Sequence, residues 1–467
     1  MRLPLRLLSM AAPIPVLFSM CAFGPDAAQS VSTPDIVVTA APIYVPLAAL
    51  KGGERFPKGA QLLIIHDGKD EALVPSFAAS ADANISFDGE RVLFAGKRAP
   101  SDPWQIWELT LKDRSVRKLI AEDGDAIRPF YLPAGRLVYA HHTAHGFQVE
   151  AAGKDNTNLL ALIDADAGKA VLPLTYLPTS AIPADVLKDG RILFESNFPL
   201  GVGTTPELFL VYSDGSGVES YRCDHGRARW GGKQLTSGDV VFTHGTSLAR
   251  FTSPLAHEAT LSAPHADFAG AIAELPSGAW LVSARSTAGT QFALQQWSPE
   301  TQGMQRMLAL AGQNVIDPVV VAPRTRPNRH PSGLHDWTYA NMMALDARQS
   351  REGDLKVAPA QVRLQTLDEQ GHAVAMGTAP VESDGSFFVQ TPADKPIRFA
   401  LLNQKGEVVR QERGWFWIRR GEQRICVGCH TGPERSSENH VPAVLLRTTT
   451  PVNLTGTKPQ ASTPGGN

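Results

Sequence analysis

The chain has 467 residues, more than one hydrophobic core usually fills, so two or more domains are expected. Its formal charge of -2 comes without a basic block, which excludes a nucleic-acid-binding surface and a polybasic membrane patch. Pro and Gly are abundant, charged residues are few and long amphipathic helical periods are scarce, so the chain reads as mostly β.

In chain order, the first segment is an export signal. Arg2 and Arg6 form a basic start, Leu7 to Phe23 is uncharged and mostly apolar, and Pro13 and Pro15 interrupt it. That stretch is short for a membrane span, so a signal peptide over residues 1–28, cleaved between Gly24 and about Ser32, fits better than an anchor. No transmembrane span is expected after cleavage, and the mature protein is expected to be periplasmic or otherwise exported. Cys21 as a lipoprotein acceptor fits less well, because Met20 stands where a small residue is preferred.

From about residue 29 to 322 an internal repeat appears. Glycines at 89, 135, 190, 238 and 278 recur at intervals between 40 and 55 residues, each before a short apolar run such as Val92-Leu93-Phe94 or Val240-Val241-Phe242. Two-residue Asp-Gly or Ser-Gly turns would supply the positive φ that a hairpin needs, and the following runs suit strands buried between blades. The period belongs to a β-propeller of six or seven blades, with Leu62–Ile65 and Val315–Val321 as flanking strands. Stacked β-sandwiches are the alternative. Within this region Cys223-Asp224-His225, flanked by Arg222, Arg227 and Arg229, offers metal donors, but adjacent strand residues face opposite ways and a buried structural cysteine is the default. His141, His142, His145 and His244 read as blade-loop histidines.

At Pro323 the character changes. Residues 324–331 are Pro- and Arg-rich and read as a linker or wrapping segment. Alternating stretches then return at 362–367, 386–390, 397–402 and 408–411, with a last aromatic strand Trp415-Phe416-Trp417-Ile418, which together read as a small β-sandwich-like domain spanning 323–447. The tail 448–467, rich in Thr, Pro and Gly, is expected to be disordered.

The most specific signal follows that aromatic strand. Cys426-Val427-Gly428-Cys429-His430 is a C-x-x-C-H motif, the spacing at which two thiols bond to the vinyl groups of one haem while the imidazole reaches the iron. One covalently attached haem c is therefore expected, with Cys426 and Cys429 as thioether anchors and His430 as the proximal ligand. Once the signal is removed only Cys223 joins the motif pair, so a disulfide scaffold is excluded. A zinc site using Cys426, Cys429, His430 and His440 is the rival, weakened because His430 follows Cys429 directly. Trp415 and Trp417, with Phe416, are candidates to pack on the porphyrin, and filling the sandwich core is their alternative role. His440 is the leading candidate for the sixth iron position, ahead of His372, Met376, His330 and His335.

The segments Ser383-Asp384-Gly385-Ser386-Phe387-Phe388-Val389, Pro392 to Pro396, and Trp415 through His430 resemble the C-terminal region of proteins related to the hydrazine synthase alpha subunit. The upstream repeats resemble TolB-type propeller repeats. The resemblance implies a haem-bearing relative, yet this chain holds a single C-x-x-C-H where the alpha subunit carries more than one haem. Electron transfer, with the propeller docking a redox protein partner, is the first expectation. A haem-dependent redox enzyme acting on a small nitrogen compound or another small molecule is the second, which a five-coordinate iron would favour. A propeller binding module with a structural haem is the third.

Overall fold

The computed structural model describes residues 34–153, 171–200, 203–222, 225–253, 257–261, 266–286, 288–300, 303–350, 353, 355–428 and 438–456. The expected signal segment with Cys21, together with Cys223, Asp224, Cys429 and His430, lies outside them. Among the described residues the regular structure is nearly all β: eight four-stranded sheets, with one short α-helix at Ala443–Arg447. No described helix is long and apolar enough to cross a membrane.

Six sheets come from the repeat region, and five of these take four consecutive strands each. In the second, for example, Ala79–Ile85, Arg91–Lys97, Gln105–Thr110 and Val116–Ile120 pair antiparallel in order. The glycines at 89, 135, 190, 238 and 278 all fall between the first and second strands of a sheet, with φ from 76° to 100°. In four sheets the connection is not the expected two-residue turn. Leu132, Leu187, Leu235 and Leu275 donate their N–H groups to the carbonyls of Arg136, Arg191, Asp239 and Ala279 at 2.8 Å, enclosing three residues. A three-residue loop needs its last residue in the left-handed region, which glycine enters without cost. The run that follows is buried as expected: Val92, Leu93, Phe94, Ile192, Leu193, Phe194, Val240, Val241 and Phe242 are all fully enclosed.

The sixth sheet explains why the repeat shows no further glycine turn. Its first strand is Asn314–Val320, which pairs with Ile36–Ala41, followed by Gln61–His66 and Lys69–Ala72. The two ends of the region meet here, so no chain runs from first strand to second. First strands of successive sheets pack against one another around the whole set, which is a propeller-type fold.

Each of the six first strands also carries a register shift. At these bulges Asp82, Arg128 and Asp317 adopt φ of 59°, 54° and 51°, a region that side chains other than glycine's rarely enter. Their charges meet. Arg55 bonds to Asp82 and, at 2.9 Å, to Asp317, while Arg128 stands 3.5 Å from Glu195 and 3.6 Å from Asp317. The same carboxylates take backbone N–H groups from neighbouring sheets: Arg128 on Asp82, Gly231 on Glu195 and Ala271 on Asp317. Pairing of this kind is what permits three carboxylates and two guanidiniums to be buried together. Burial pushes the Asp317 carboxyl up, but Arg55 and Arg128 outweigh it and hold it below the usual range.

Residues 339–453 form the sandwich. One sheet is mixed, in the order Gln423–Gly428, Tyr339–Asp346, Phe387–Pro392, Val452–Asn453, with its two outer strands parallel to their neighbours. The other is antiparallel: Ala373–Pro380, Gln361–Leu367, Ile397–Leu402, Val408–Gln411. Met342, Ala344, Leu364, Phe387, Val389, Phe399 and Leu401 fill the space between them. Two expectations are corrected here. Trp415–Ile418 is not a strand: it makes one isolated bridge, Phe416 to Ile397, because Trp417 turns away from the sandwich. The tail does not lose structure at 448, since Val452–Asn453 pairs with Val389 and Gln390 and Leu454 is buried.

The segment read as a wrapping linker runs along the repeat-region turns. The Arg324 guanidinium donates to Ile85 O, Asn328 N–H donates to Lys188 O, and the His330 ring stacks on Tyr212 at 3.7 Å. Gly190 has φ of 89°, and a Cβ there would stand 2.2 Å from Asn328 O. Gly190→Ala is therefore expected to cost about 1–3 kcal/mol locally and to release the segment. Limited proteolysis within 323–338 should accelerate by about tenfold with the β circular dichroism unchanged; an unaltered cleavage rate would show that this contact does not hold the segment.

Candidate functional site

Cys426 sits in the edge strand Gln423–Gly428, opposite Ala344, which is itself opposite Phe387. Register partners point the same way across a sheet, so the half-buried thiol faces the sandwich interior with them. Burial pushes this thiol up, only partly offset by Arg424, two residues back on the same face. Gly428 lies opposite Asp346, so the chain leaves the sheet toward Cys429 at the end where Asp346, Asp384 and Gly385 stand.

That edge strand is fastened to the repeat region. Arg424 donates to Val218 O, Arg419 donates to Asp214 O at 3.1 Å, and Gly217 N–H donates to Glu422 at 3.2 Å. Arg419 also pairs with Asp394 at 2.7 Å. Burial pushes the Glu422 carboxyl up, with Arg424 working against it. The strand bearing Cys426 thus starts at a junction between the propeller-type region and the sandwich.

The aromatic candidates separate. Trp417 is fully buried, packs near Tyr176 and Phe194, and donates its indole N–H to Gly215 O at 2.9 Å. It has no face left for a porphyrin. Trp415 is half-buried beneath the Arg398 guanidinium. Phe416 shares the sandwich core with Cys426 and lies under the Arg424 guanidinium, which makes it the aromatic residue of the three on the thiol's side.

His440 lies at the end of the sheet from which the motif emerges, but it is engaged. Its Nε2 is 3.1 Å from Asp384 Oδ2, an oxygen that also accepts the Ala443 N–H at 2.7 Å. Ser386 binds the other oxygen through its N–H and hydroxyl, and its Oγ accepts the Val444 N–H. Burial raises the Asp384 carboxyl, yet these hydrogen bonds overcome it and hold the group far below the usual range. His335 stacks on Trp337 and stands 3.1 Å from Gln423, at the start of the Cys426 strand. His372 is exposed beside Asp368, Met376 packs on the sandwich core, and His330 belongs to the wrapping segment. The structure does not gather these candidates at one point.

Apolar side chains left in solvent bracket the motif. Ile425, Val441 and Leu446 are 63%, 60% and 76% exposed. Ile425 also heads a row across the outer face of the mixed sheet, with Met343 and Phe388 next to it. Sequence reasoning missed this row, although the alternation of Met343 and Leu345 with Met342 and Ala344 carries its signal.

Elsewhere, His225 bonds to Glu207 at 2.6 Å and His244 to Glu258. The His142 ring packs on Phe147, and His141 stands among carboxylates. A pocket within the repeat region, of about 60 Å³, is lined by Asp82, Asn84, Arg128, Lys233 and Asp317, among others.

Residues 373–431 match the family model of the hydrazine synthase alpha subunit middle domain. Among solved structures, hydrazine synthase of Kuenenia stuttgartiensis aligns with a TM-score of 0.76 at 16% identity, covering 89% of this chain and 71% of that one. TolB from Acinetobacter baumannii aligns with a TM-score of 0.43 at 13% identity, covering 61% and 66%. No curated protein sequence matches the chain. The resemblance to the hydrazine synthase alpha subunit, read from the C-terminal residues, is borne out, and the structural likeness extends it as a fold over most of the chain.

Proposed function

We propose that this chain is an exported haem-dependent redox protein of the hydrazine synthase alpha type. In this reading a six-bladed propeller supports a sandwich that holds one haem c, and a small molecule reacts at the open side of the iron. The observation that carries it is that the matched family segment, 373–431, ends on Cys426, Cys429 and His430.

The described residues fit a porphyrin. Among the described residues Cys426 is in no disulfide, Phe416 flanks it, and the exposed Val441 and Leu446 offer apolar surface beyond the end of the sheet from which the motif emerges. Arg424 places a guanidinium beside the thiol, where a propionate could be met. Cys426 and Cys429 would anchor the group and His430 would bind its iron, and when bound a c-type haem supplies electron exchange or small-ligand binding at that iron. Export belongs to the reading because covalent haem attachment takes place outside the bacterial cytoplasm.

In this reading His440 would keep its bond to Asp384, and the iron would be left for a small ligand. The second reading, an electron carrier whose propeller docks a redox protein, draws on the single C-x-x-C-H. Optical and resonance Raman spectra separate them, using protein made with haem-attachment machinery, oxidised and reduced, with and without CO. A high-spin haem that binds CO, unaltered in His440→Ala, is expected. A low-spin haem that ignores CO would make the protein the carrier, and conversion of that haem to high spin in His440→Ala would identify His440 as the ligand. Absence of haem would sink both readings.

A further inference from the structure

We propose that Glu122, His141 and Glu150 form a binding site for a divalent transition-metal ion, on the third sheet of the propeller-type region and separate from the Cys426 strand. His141 belongs to the strand Leu137–Thr143 and Glu150 to its neighbour Gly146–Ala152. Glu150 is opposite Tyr139, and His141 lies two residues beyond Tyr139, so all three share one face. Glu122 arrives from the loop between the second and third sheets. That loop is pinned on both sides of the peptide: Glu122 N–H donates to Gln105 Oε1 at 2.8 Å, and Gln105 Nε2 donates to Glu122 O at 3.2 Å.

The donor atoms of Glu122, His141 and Glu150 all lie within 4.8 Å of one another, and all three residues are half-buried or more. Bonds of about 2.0–2.2 Å at tetrahedral angles hold two donors about 3.4 Å apart, so the three side chains would have to draw inward around the ion.

Charge balance is the second, independent argument. Several other buried carboxylates of this fold are met by arginine or lysine, Asp82 by Arg55, Glu108 by Arg117, Glu258 by Arg229 and Asp185 by Lys233, while Glu207 is met by His225. Among the described residues, Glu122 and Glu150 pair with no lysine or arginine. Their partners are the Tyr139 phenol, which donates to both at 2.8 and 3.2 Å, and, for Glu150, His141 Nδ1 at 3.2 Å. The second His141 nitrogen faces another carboxylate, Asp123, at 3.3 Å. Three carboxylates therefore converge on one imidazole, and a dication supplies the missing charge. One nitrogen and two carboxylate oxygens suit Mn²⁺, Zn²⁺ or Fe²⁺ and lack the thiolate that copper(I) prefers. Bound there, the ion would tie the loop from the second sheet to the face of the third.

The test uses the full chain carrying its haem, stripped with chelator and titrated with Mn²⁺ alone, because the C-terminal thiols of any haem-free chains would compete for Zn²⁺ far better than for Mn²⁺. Electron paramagnetic resonance of free Mn²⁺ should report one tight site per chain. Glu122→Gln, which keeps the side chain's size and its bond to Tyr139, and His141→Ala should each weaken that site at least tenfold. The melting temperature should rise with Mn²⁺ in the parent protein and in neither variant. Failure of Mn²⁺ to bind below millimolar concentration overturns the proposal, as does binding that survives both substitutions in variants with parental circular dichroism.

Discussion

Replacing Cys426 and Cys429 together with alanine abolishes covalent haem, so the denatured, solvent-extracted protein loses all haem-dependent peroxidase staining that the parent retains. The expectation is all-or-none because two thioether bonds alone survive denaturation, whereas a ligand held through His430 dissociates when the fold opens. Cys426→Ala by itself should leave one thioether and move the reduced haemochrome band to longer wavelength, since one vinyl group then stays conjugated with the ring. In the folded chain burial pushes the Cys426 thiol up. Staining that persists in the double variant would remove the motif from the proposed function.

The two features readable from sequence were both local. A C-x-x-C-H motif is contiguous, and each hairpin glycine announces its own turn, because the positive φ at 89, 135, 190, 238 and 278 is demanded by the tight loop around it, three residues long in four of the five. What escaped was non-local. The sixth sheet joins Asn314–Val320 to Ile36–Ala41 across almost the whole region, so its missing glycine turn left the blade number open from sequence. Asp82, Arg128 and Asp317 occupy left-handed backbone positions that no side-chain preference signals, because the bulges and their charge pairs stabilise one another across sheets. His440 was read as the leading candidate for the sixth iron position, and its partner Asp384 stands 56 residues earlier, out of reach of any spacing rule.

The strand Tyr339–Asp346 is a different kind of miss. Ala340, Met342 and Ala344 alternate cleanly into the core, but they follow a Pro- and Arg-rich stretch whose character masked them. It is the central strand against which Cys426 pairs, so the site's frame was the part overlooked. The aromatic run misled in the opposite direction. Trp415-Phe416-Trp417-Ile418 has strand composition, yet the chain spends it on a crossing in which Phe416 and Ile418 face the sandwich core and Trp417 faces the propeller-type region.

That crossing sets the second large effect. Trp417→Ala should destabilise the protein by about 3–5 kcal/mol, the usual range for emptying a fully buried large aromatic site. Its ring closes the cluster containing Leu174, Phe194, Val211 and Val218, and its indole N–H satisfies Gly215 O, in the turn from which Asp214 O takes Arg419. Removal therefore opens a cavity and leaves a buried carbonyl without its donor at the same junction. Trp417→Phe keeps most of the volume and loses only the hydrogen bond, so it should cost about 1–2 kcal/mol. Urea unfolding followed by circular dichroism should show a large fall in midpoint for the alanine variant and a small one for phenylalanine. In the haem-loaded protein the Soret band should then change at lower urea than the bulk β signal, because the sandwich loses its support before the propeller-type region opens. If Trp417→Ala shifts stability by less than about 1 kcal/mol, well under the core-substitution range, the junction is not held by this residue, and the fixed position of the Cys426 strand must come from Arg419 and Arg424 instead.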